Sequence, residues 1–195
     1  MTSAAAILLC SATGLTLPAS GGPMIRGDEA IMAPKAHGTA AGAVLPRLRW
    51  NVDRELADWC CCFNRHYAEP SGYWASTAFL SEVAGAGGVD GDQPIVFADS
   101  VSGKPLFVAP RGRPLASFLR ESEAHGWPSF RSEEVVWENV RVLPDGECVS
   151  TSGSHLGHNI PDGDGLRLCI NLVSVAGTPR RAMSEESIRE ALRQR

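Results

Sequence analysis

The chain has 195 residues, of which 44% are hydrophobic and 21% charged, and its mean hydropathy is −0.08. Compact domains usually contain about 100 to 150 residues, so this is enough chain for one globular domain and some additional sequence. Lys and Arg number 18 against 22 Asp and Glu, which gives a formal net charge of −4. An acidic chain lacks the basic excess that binds duplex nucleic acid or anionic lipid, so neither is an expected partner.

Residues 1–45 are rich in Ala, Gly, Ser, Thr and Pro, and no charged side chain occurs before Arg26. The apolar run at 4–10 is too short to cross a bilayer, and no basic residue precedes it as in a secretory signal. We therefore expect residues 1–45 to be a disordered leader, with organelle targeting as an open alternative.

The elements predicted after this leader are short. Apolar residues recur at three- and four-residue steps over 52–63, which predicts an amphipathic helix capped by Asn51. Short strands at close spacing favour antiparallel sheets, and five β-prone runs follow the helix: 94–97, 105–108, 135–137, 140–143 and 166–173. Residues 184–193 begin with a Ser–Glu capping pattern and end in basic residues, which predicts a surface helix.

The six cysteines occur at positions 10, 60, 61, 62, 148 and 169. Three adjacent cysteines do not fit a regular disulfide framework, and no Cys-x-x-Cys pair of the kind used by structural zinc sites is present. We therefore expect reduced thiols, a reducing intracellular compartment and no structural zinc. One of these thiols is a candidate nucleophile.

Arg167, Cys169 and Asn171 occupy alternate positions of the last predicted strand. Alternate residues of a strand point to the same face, so we expect these three side chains to stand together. A guanidinium near a thiol favours the reactive thiolate, and an amide can hydrogen-bond a developing oxygen. The competing interpretation is that Cys169 is a small apolar residue of the core, and the spacing alone does not exclude it.

A polar stretch before that strand contains His155 and His158. Two histidines without a spaced third ligand are weak evidence for a metal, so acid–base roles beside a thiol suit them better, and a hydrogen bond that fixes a loop is the open alternative. Upstream, Trp127 and Phe130 flank Pro128 in a segment that cannot lie in a central strand. These rings form either an apolar wall for a substrate methyl group or part of the core.

Four blocks in the second half of the chain occur in a recognisable order: Ser-Gly-Lys-Pro-Leu-Phe at 102–107, Gly-Trp-Pro-Ser-Phe at 126–130, Ser-His-Leu-Gly-His at 154–158 with Pro-Asp-Gly at 161–163, and Gly-Leu-Arg-Leu-Cys-Ile-Asn at 165–171. Together they resemble B-type peptide methionine sulfoxide reductases. The resemblance covers about residues 93–175, with a weaker match at 69–73. It predicts a reductase domain over 46–178, and the helix predicted at 184–193 makes 179–195 a helical tail.

The resemblance implies a mainly-β fold of two antiparallel sheets, with a short N-terminal helix and a C-terminal surface helix. It also implies an oxidoreductase that reduces the R-sulfoxide of free or protein-bound methionine to methionine, which is a repair reaction in the response to oxidative stress. The implied partners are oxidised proteins or methionine sulfoxide and a thioredoxin-like reductant. We expect the enzyme to be a monomer that binds neither nucleic acid nor membrane.

By position in the matching blocks, Cys169 corresponds to the nucleophile, His158 to the active-site histidine and Asn171 to the asparagine after the nucleophile. Cys169 is therefore expected to attack the sulfoxide sulfur and become a sulfenic acid. Trp127 corresponds to the indole that packs against the methyl group of the substrate. The remaining candidates for substrate binding are Phe130, His155 and Arg167.

The chain departs from the family pattern at two sets of positions. Many members bind zinc through two Cys-x-x-Cys pairs. In this chain the matching positions hold Asp99, Ser102, Val149 and Ser152. We therefore expect a zinc-free member without a bound cofactor. His125 stands where many members have a resolving cysteine. Either Cys148 or one of the three adjacent cysteines resolves the sulfenic acid, or thioredoxin or another external thiol reduces it directly, which is the preferred expectation.

Two other functions stay open at this point. A reductase-derived module could bind methionine-like side chains with little or no turnover. A hydrolase could use Cys169 and His158 as a Cys–His pair, although no oxyanion loop is recognisable.

Overall fold

The computed structural model describes residues 23–85 and 94–179. These ranges contain three α-helices: α1 (Arg54–Asp58), α2 (Phe79–Gly85) and α3 (Leu115–His125). α1 continues directly into a π-helical turn at Trp59–Phe63. The same ranges also contain seven strands: β1 (Ile95–Ala98), β2 (Pro105–Ala109), β3 (Ser129–Arg131), β4 (Val140–Val142), β5 (Glu147–Ser150), β6 (His155–Asn159) and β7 (Arg167–Ile170). The helix expected at 184–193 lies outside the described residues, as do residues 1–22.

The strands form two antiparallel sheets. β1 and β2 pair as a two-stranded sheet, and the other five strands pair in the order β3-β7-β6-β5-β4. This confirms the expected mainly-β fold with two antiparallel sheets. In the described ranges, none of the helices has the length and apolar character needed to cross a membrane.

Aromatic side chains join the small sheet, α3 and the large sheet. The ring of Phe130 on β3 lies 4.2 Å from that of Phe107 on β2 and 4.9 Å from that of Phe97 on β1, measured between centroids. Phe118 of α3 lies 5.3 Å from the same ring, and all four side chains are fully buried. Each buried aromatic removes about 150–250 Å² from water, so this cluster is a principal contact between the layers.

The N-terminal part of the fold begins earlier than the sequence indicates. Met32, Ala40 and Val44 are buried in the core, and Gly27 donates a backbone hydrogen bond of 3.0 Å to Val142 of β4. The expectation of disorder as far as residue 45 is therefore wrong for residues 24–45. Small and apolar residues give this segment a low-complexity composition, but the same residues fill space against an edge strand.

The helix predicted over 52–63 forms with a different start and a different buried face. Asp53, not Asn51, is its N-cap, since Asp53 Oδ1 accepts a hydrogen bond of 2.9 Å from the Leu56 amide. Trp59 and Phe63 are 49% and 48% exposed, whereas the adjacent cysteines 60–62 are buried. The π-helical turn, with its i to i+5 pairing, rotates these side chains away from the period of an α-helix.

The strand predicted at 135–137 does not form, and three strands were missed: β3, β5 and β6. Val135 makes only an isolated bridge to Phe107 of β2. β5 and β6 were not predicted because Glu147 and His155 are polar but fully or almost fully buried. The pattern of apolar residues cannot identify a strand whose buried positions are polar.

The buried carboxylate of Asp99 joins two turns that lie far apart in the sequence. Asp99 Oδ1 accepts hydrogen bonds from the Val101 amide at 3.0 Å and from Ser154 Oγ at 2.8 Å. Asp99 Oδ2 accepts a bond of 2.6 Å from Ser102 Oγ. These bonds connect the β1–β2 turn to the β5–β6 turn.

We expect Asp99→Ala to lower the free energy of unfolding by about 2–4 kcal/mol, because Ser154 then loses its partner in a buried place. Urea denaturation measures this change. Ser102→Ala, which removes only one of the three bonds, is the matched control and should cost about 1 kcal/mol. Equal losses in the two variants would contradict the role given to Asp99.

Candidate active site

A pocket of about 150 Å³ opens beside β6 and β7. It brings together side chains from four separate parts of the chain. Five of the eight predicted site residues line it: Trp127, His155, His158, Cys169 and Asn171. The loop at 66–68 closes another side of the pocket, and Ile160 lies at its border.

Cys169 lies in a strand between two others. Its partner across the ladder is His158 on β6 and, on the opposite side, Ser129 on β3. Directly paired residues project to the same face of a sheet with Cβ atoms about 4.5–5.5 Å apart. The imidazole of His158 is therefore the nearest cross-strand neighbour of the thiol from β6.

A β-bulge brings the second histidine to the same pocket. His155 and His158 are three residues apart, a spacing that places side chains on opposite faces of a regular strand. Here Cys148 and Val149 of β5 pair with Gly157 and His155, so β6 has one additional residue at this point. The bulge turns His155 into the pocket, where its ring centroid is 5.4 Å from that of His158.

Glu147 orients His155. Its Oε1 lies 2.7 Å from Nδ1 of His155, and its Oε2 accepts a hydrogen bond of 2.8 Å from Nε of Arg65. Burial raises the pKa of Glu147, but the hydrogen bonds from His155 and Arg65 outweigh burial and hold that pKa below its usual range. This ionised carboxylate keeps Nδ1 of His155 protonated and leaves Nε2 as the ring nitrogen on the side away from Glu147.

The thiol and the facing histidine are both uncharged at rest. Burial raises the pKa of the Cys169 thiol, and the charge and hydrogen bond of Arg167 offset only part of that rise. Burial lowers the pKa of His158, and the neighbouring His155 lowers it further. A neutral imidazole beside a protonated thiol can accept its proton when a substrate arrives.

Asn171 holds the pocket together as well as lining it. Its Nδ2 donates a hydrogen bond of 3.1 Å to the carbonyl of Leu156, and its Oδ1 accepts one of 3.0 Å from the amide of Glu69. The side chain is only 2% exposed. It is therefore first of all a positioning residue that fixes the Glu69 segment to β6.

Glu69 positions the indole of Trp127. The carbonyl of Glu69 accepts a hydrogen bond of 2.9 Å from Nε1 of Trp127. Its buried carboxylate accepts bonds of 2.9 and 3.0 Å from the amides of Leu172 and Val173, directly after β7. The same segment therefore holds Trp127 and the chain that leaves Cys169.

Gly126 allows this segment to approach. It ends α3 with φ +84°, and its carbonyl accepts a hydrogen bond of 2.8 Å from the amide of Gly72. A Cβ at this position would lie 2.1 Å from Oγ of Ser71. A larger residue would push the Glu69 segment away from Trp127.

Two predicted substrate-binding residues lie outside the pocket. Phe130 pairs with Leu168 on the face opposite Cys169 and is fully buried in the aromatic core, so its assignment to substrate binding is wrong. Arg167 shares the face of Cys169, as predicted, but it is 6% exposed and its Nε lies 3.2 Å from Asp162 Oδ2. Arg167 acts on the thiol through charge and does not line the cavity.

Cys148 is on the wrong face to resolve a sulfenic acid on Cys169. It pairs with Gly157, one position away from the pair formed by Glu147 and His158, so its side chain enters the core. Cys148 is completely buried, and burial strongly raises the pKa of its thiol. The prediction of Cys148 as the resolving cysteine is therefore wrong for this fold.

Sequence reasoning missed the two buried glutamates. Glu147 carried no signal, because a lone acidic residue in a turn-rich stretch indicates an exposed side chain. Glu69 stands in the weak match at 69–73, but its carboxylate contacts residues 172 and 173, more than 100 positions away. These groups come together only when the chain folds.

A comparison of the sequence with models of known protein families finds none that matches. The resemblance to the reductases therefore depends on the residues quoted above and on their geometry.

We expect Cys169 to be the one alkylated cysteine among the five described, because it alone is partly exposed. The reaction rate should rise with pH through a midpoint above the ordinary thiol pKa of about 8.5. Arg167→Met should raise that midpoint and slow alkylation at pH 8, since the offsetting charge is lost. Mass spectrometry of the iodoacetamide-treated protein identifies the site, and the exposed Arg120→Met is the control. A midpoint below 8 would contradict the assigned environment.

The raised pKa of the buried Glu69 side chain makes the stability of the fold depend on pH. Burial raises its pKa to about 7, and the two backbone hydrogen bonds lower it only in part. The unfolded value is about 4.3, so the stability that Glu69 contributes is present below that pH and is lost as pH rises through 7. We expect the free energy of unfolding to fall by about 1–3 kcal/mol between pH 5 and pH 8. Urea denaturation at both pH values should show a smaller difference for Glu69→Gln, and an unchanged difference would contradict the assignment.

Proposed function

We propose that this protein is a thiol-dependent reductase that converts methionine-R-sulfoxide, protein-bound or free, to methionine. The observation that carries the proposal is the convergence of Cys169, His158 and Trp127 on one small pocket. These three residues come from three separate blocks of the resemblance. The stereochemical preference comes from the resemblance alone.

The dimensions and lining of the pocket suit the end of one side chain. Its volume of about 150 Å³ equals about five water molecules at about 30 Å³ each. The indole of Trp127 supplies an apolar surface for a methyl group, and His155 and His158 supply polar atoms for an oxygen. A methylsulfinyl group has both an apolar and a strongly polar part in this volume.

The proposed reaction begins with the neutral pair of Cys169 and His158. His158 accepts the thiol proton, and the sulfur of Cys169 attacks the sulfoxide sulfur. The oxygen passes to Cys169 and takes the proton, so a thiol and a sulfoxide become a sulfenic acid and a thioether. The substrate sulfur is reduced by two electrons and the Cys169 sulfur is oxidised by two.

An external thiol completes the proposed cycle. Two equivalents of a thiol, such as the dithiol of thioredoxin, reduce the sulfenic acid to the thiol and release water as they become a disulfide. Cys169 is the only one of the five described cysteines that is partly exposed, and the other four are buried. This favours direct reduction over an internal disulfide.

One observation favours a second function. Burial raises the pKa of Cys169, and a protonated thiol is a poor nucleophile. A module that only binds methionine-like side chains would need the indole wall but no thiolate. Turnover distinguishes the two functions, because a binding module forms no sulfenic acid.

We expect the native chain with dithiothreitol to reduce a peptide that contains methionine-R-sulfoxide and to leave the S-diastereomer unchanged. Cys169→Ser should reduce neither, because the oxygen has no acceptor. Liquid chromatography of the peptide measures the conversion, and a dimedone adduct on Cys169 identifies the sulfenic acid. Cys148→Ser is the matched control and should keep the native rate.

Other outcomes identify other functions. Equal turnover of the two diastereomers would contradict the reductase assignment. Binding of the R-peptide without turnover would support the binding module. A covalent acyl group on Cys169 after incubation with esters or peptides would support the Cys–His hydrolase.

A further inference from the structure

Three potential metal ligands converge away from the active-site pocket. The side chains of His37, Asp58 and Cys62 offer one nitrogen, one oxygen and one sulfur, and all three ligand atoms lie within 4.8 Å of one another. His37 and Asp58 also line a second and larger cavity of about 490 Å³. Neither the proposed reductase chemistry nor the resemblance uses these residues.

The local backbone explains why Asp58 and Cys62 face the same point. Asp58 is the last residue of α1, and Cys62 follows four residues later in the π-helical turn. A π-helical turn brings residues four or five apart to neighbouring positions on one face, and the ligand atoms of Asp58 and Cys62 lie within 4.8 Å of each other. Cys62 is buried, and Asp58 lies at the edge of the cavity.

A short loop holds His37 against this turn. The amide of Thr39 donates a hydrogen bond of 2.9 Å to the carbonyl of Cys62, and the Thr39 hydroxyl lies 3.3 Å from the same oxygen. Gly38 has φ +59°, and a Cβ there would lie 1.9 Å from that carbonyl. This close approach, which glycine permits, positions the imidazole next to Asp58.

Asp58 is already oriented as a ligand. Its Oδ1 accepts a hydrogen bond of 3.0 Å from the amide of Val44, and its Oδ2 lies 2.9 Å from Nε2 of His37. Backbone support of this kind fixes a carboxylate in metal sites. In a tetrahedral zinc site, bonds of about 2.0–2.3 Å place two ligand atoms about 3.3–3.8 Å apart, so a closure of the triangle by about 1 Å would place all three atoms on one ion.

A second cluster in the described ranges is a weaker candidate. Glu121, His125 and Asp162 also converge, but Arg131 pairs with both carboxylates and Arg113 pairs with Glu121. A cation there would compete with two guanidinium groups. His37 and Asp58 have no such competitor, since the ion pair recorded for Asp58 is the one with His37 itself.

We propose that His37, Asp58 and Cys62 bind one Zn²⁺ ion, with the fourth position open to the cavity beside Trp59 and Phe63. Zinc binds thiolate, imidazole and carboxylate ligands, whereas magnesium and calcium prefer oxygen ligands and bind thiolates poorly. Binding replaces the His37–Asp58 hydrogen bond and converts the Cys62 thiol to a zinc thiolate, and one proton leaves to solvent. The site does not depend on the proposed reductase function.

The surroundings suit a stabilising ion. Trp59 and Phe63 stack with centroids 6.3 Å apart, and the Phe63 ring packs edge-on against His37 at 4.7 Å. The two rings, each about half exposed, form the apolar wall of the cavity next to the site. The ion would join the N-terminal loop to the end of α1 and so stabilise the segment that the sequence predicted to be disordered.

The test is a Co²⁺ titration of the full chain, reduced and freed of metal by a chelator. We expect one equivalent to bind with a near-ultraviolet thiolate-to-cobalt charge-transfer band, and Zn²⁺ to displace it. Cys62→Ser should lose the band, and Asp58→Asn should weaken binding by about tenfold or more. Asp58→Asn keeps an acceptor for the Val44 amide, so it separates ligand loss from unfolding. Cys60→Ser removes a neighbouring thiol of the same turn and is the matched control, with the band retained.

Thermal unfolding gives a second readout. At one fixed Zn²⁺ concentration the melting temperature should rise for the native chain and for Cys60→Ser, rise less for Asp58→Asn, and stay unchanged for Cys62→Ser. No stoichiometric binding by the native chain would overturn the proposal. So would a charge-transfer band that survives Cys62→Ser, because the sulfur would then come from another cysteine, or equal uptake by all variants, because that indicates an adventitious ion only.

Discussion

The pairing of β6 with β7 is the constraint on which the candidate site depends. Register places His158 opposite Cys169, and β3 on the other edge of β7 brings Ser129 to the same level. A shift of one residue would turn Cys169 toward the core and Leu168 toward the pocket. The aromatic cluster around Phe130 opposes such a shift, because it anchors β3, and through it β7, to the small sheet and α3.

Three buried carboxylates hold the loops around that register. Asp99 joins the β1–β2 turn to the β5–β6 turn, Glu147 orients His155, and Glu69 ties the loop under Trp127 to the end of β7. A buried carboxylate is stable only where donors surround it, so each of these acids also selects one arrangement of the chain.

The environment of the thiol is apolar enough to keep it protonated. Burial dominates the pKa of Cys169, and the charge and hydrogen bond of Arg167 compensate only in part. Chemistry at this site therefore requires a base within the pocket, and the neutral His158 is suitably located. Burial, together with the nearby Asp58, likewise raises the pKa of the Cys62 thiol, to about 12. In the proposed site this thiol would release its proton to solvent when the metal ion binds the sulfur.

The sequence alone determined the fold class, the shared face of Arg167 and Cys169, and five residues that line the pocket. It did so because period-2 spacing and short motifs are local properties of the chain. Tertiary structure decided which side of the sheet several residues occupy: Phe130 and Cys148 face the core, and the bulge in β6 turns His155 inward. It also decided that residues 24–45 pack against the rest of the fold. Distant partners and backbone irregularities set these outcomes, and contacts such as Glu69 with Leu172 or His37 with Asp58 leave no pattern in a linear sequence.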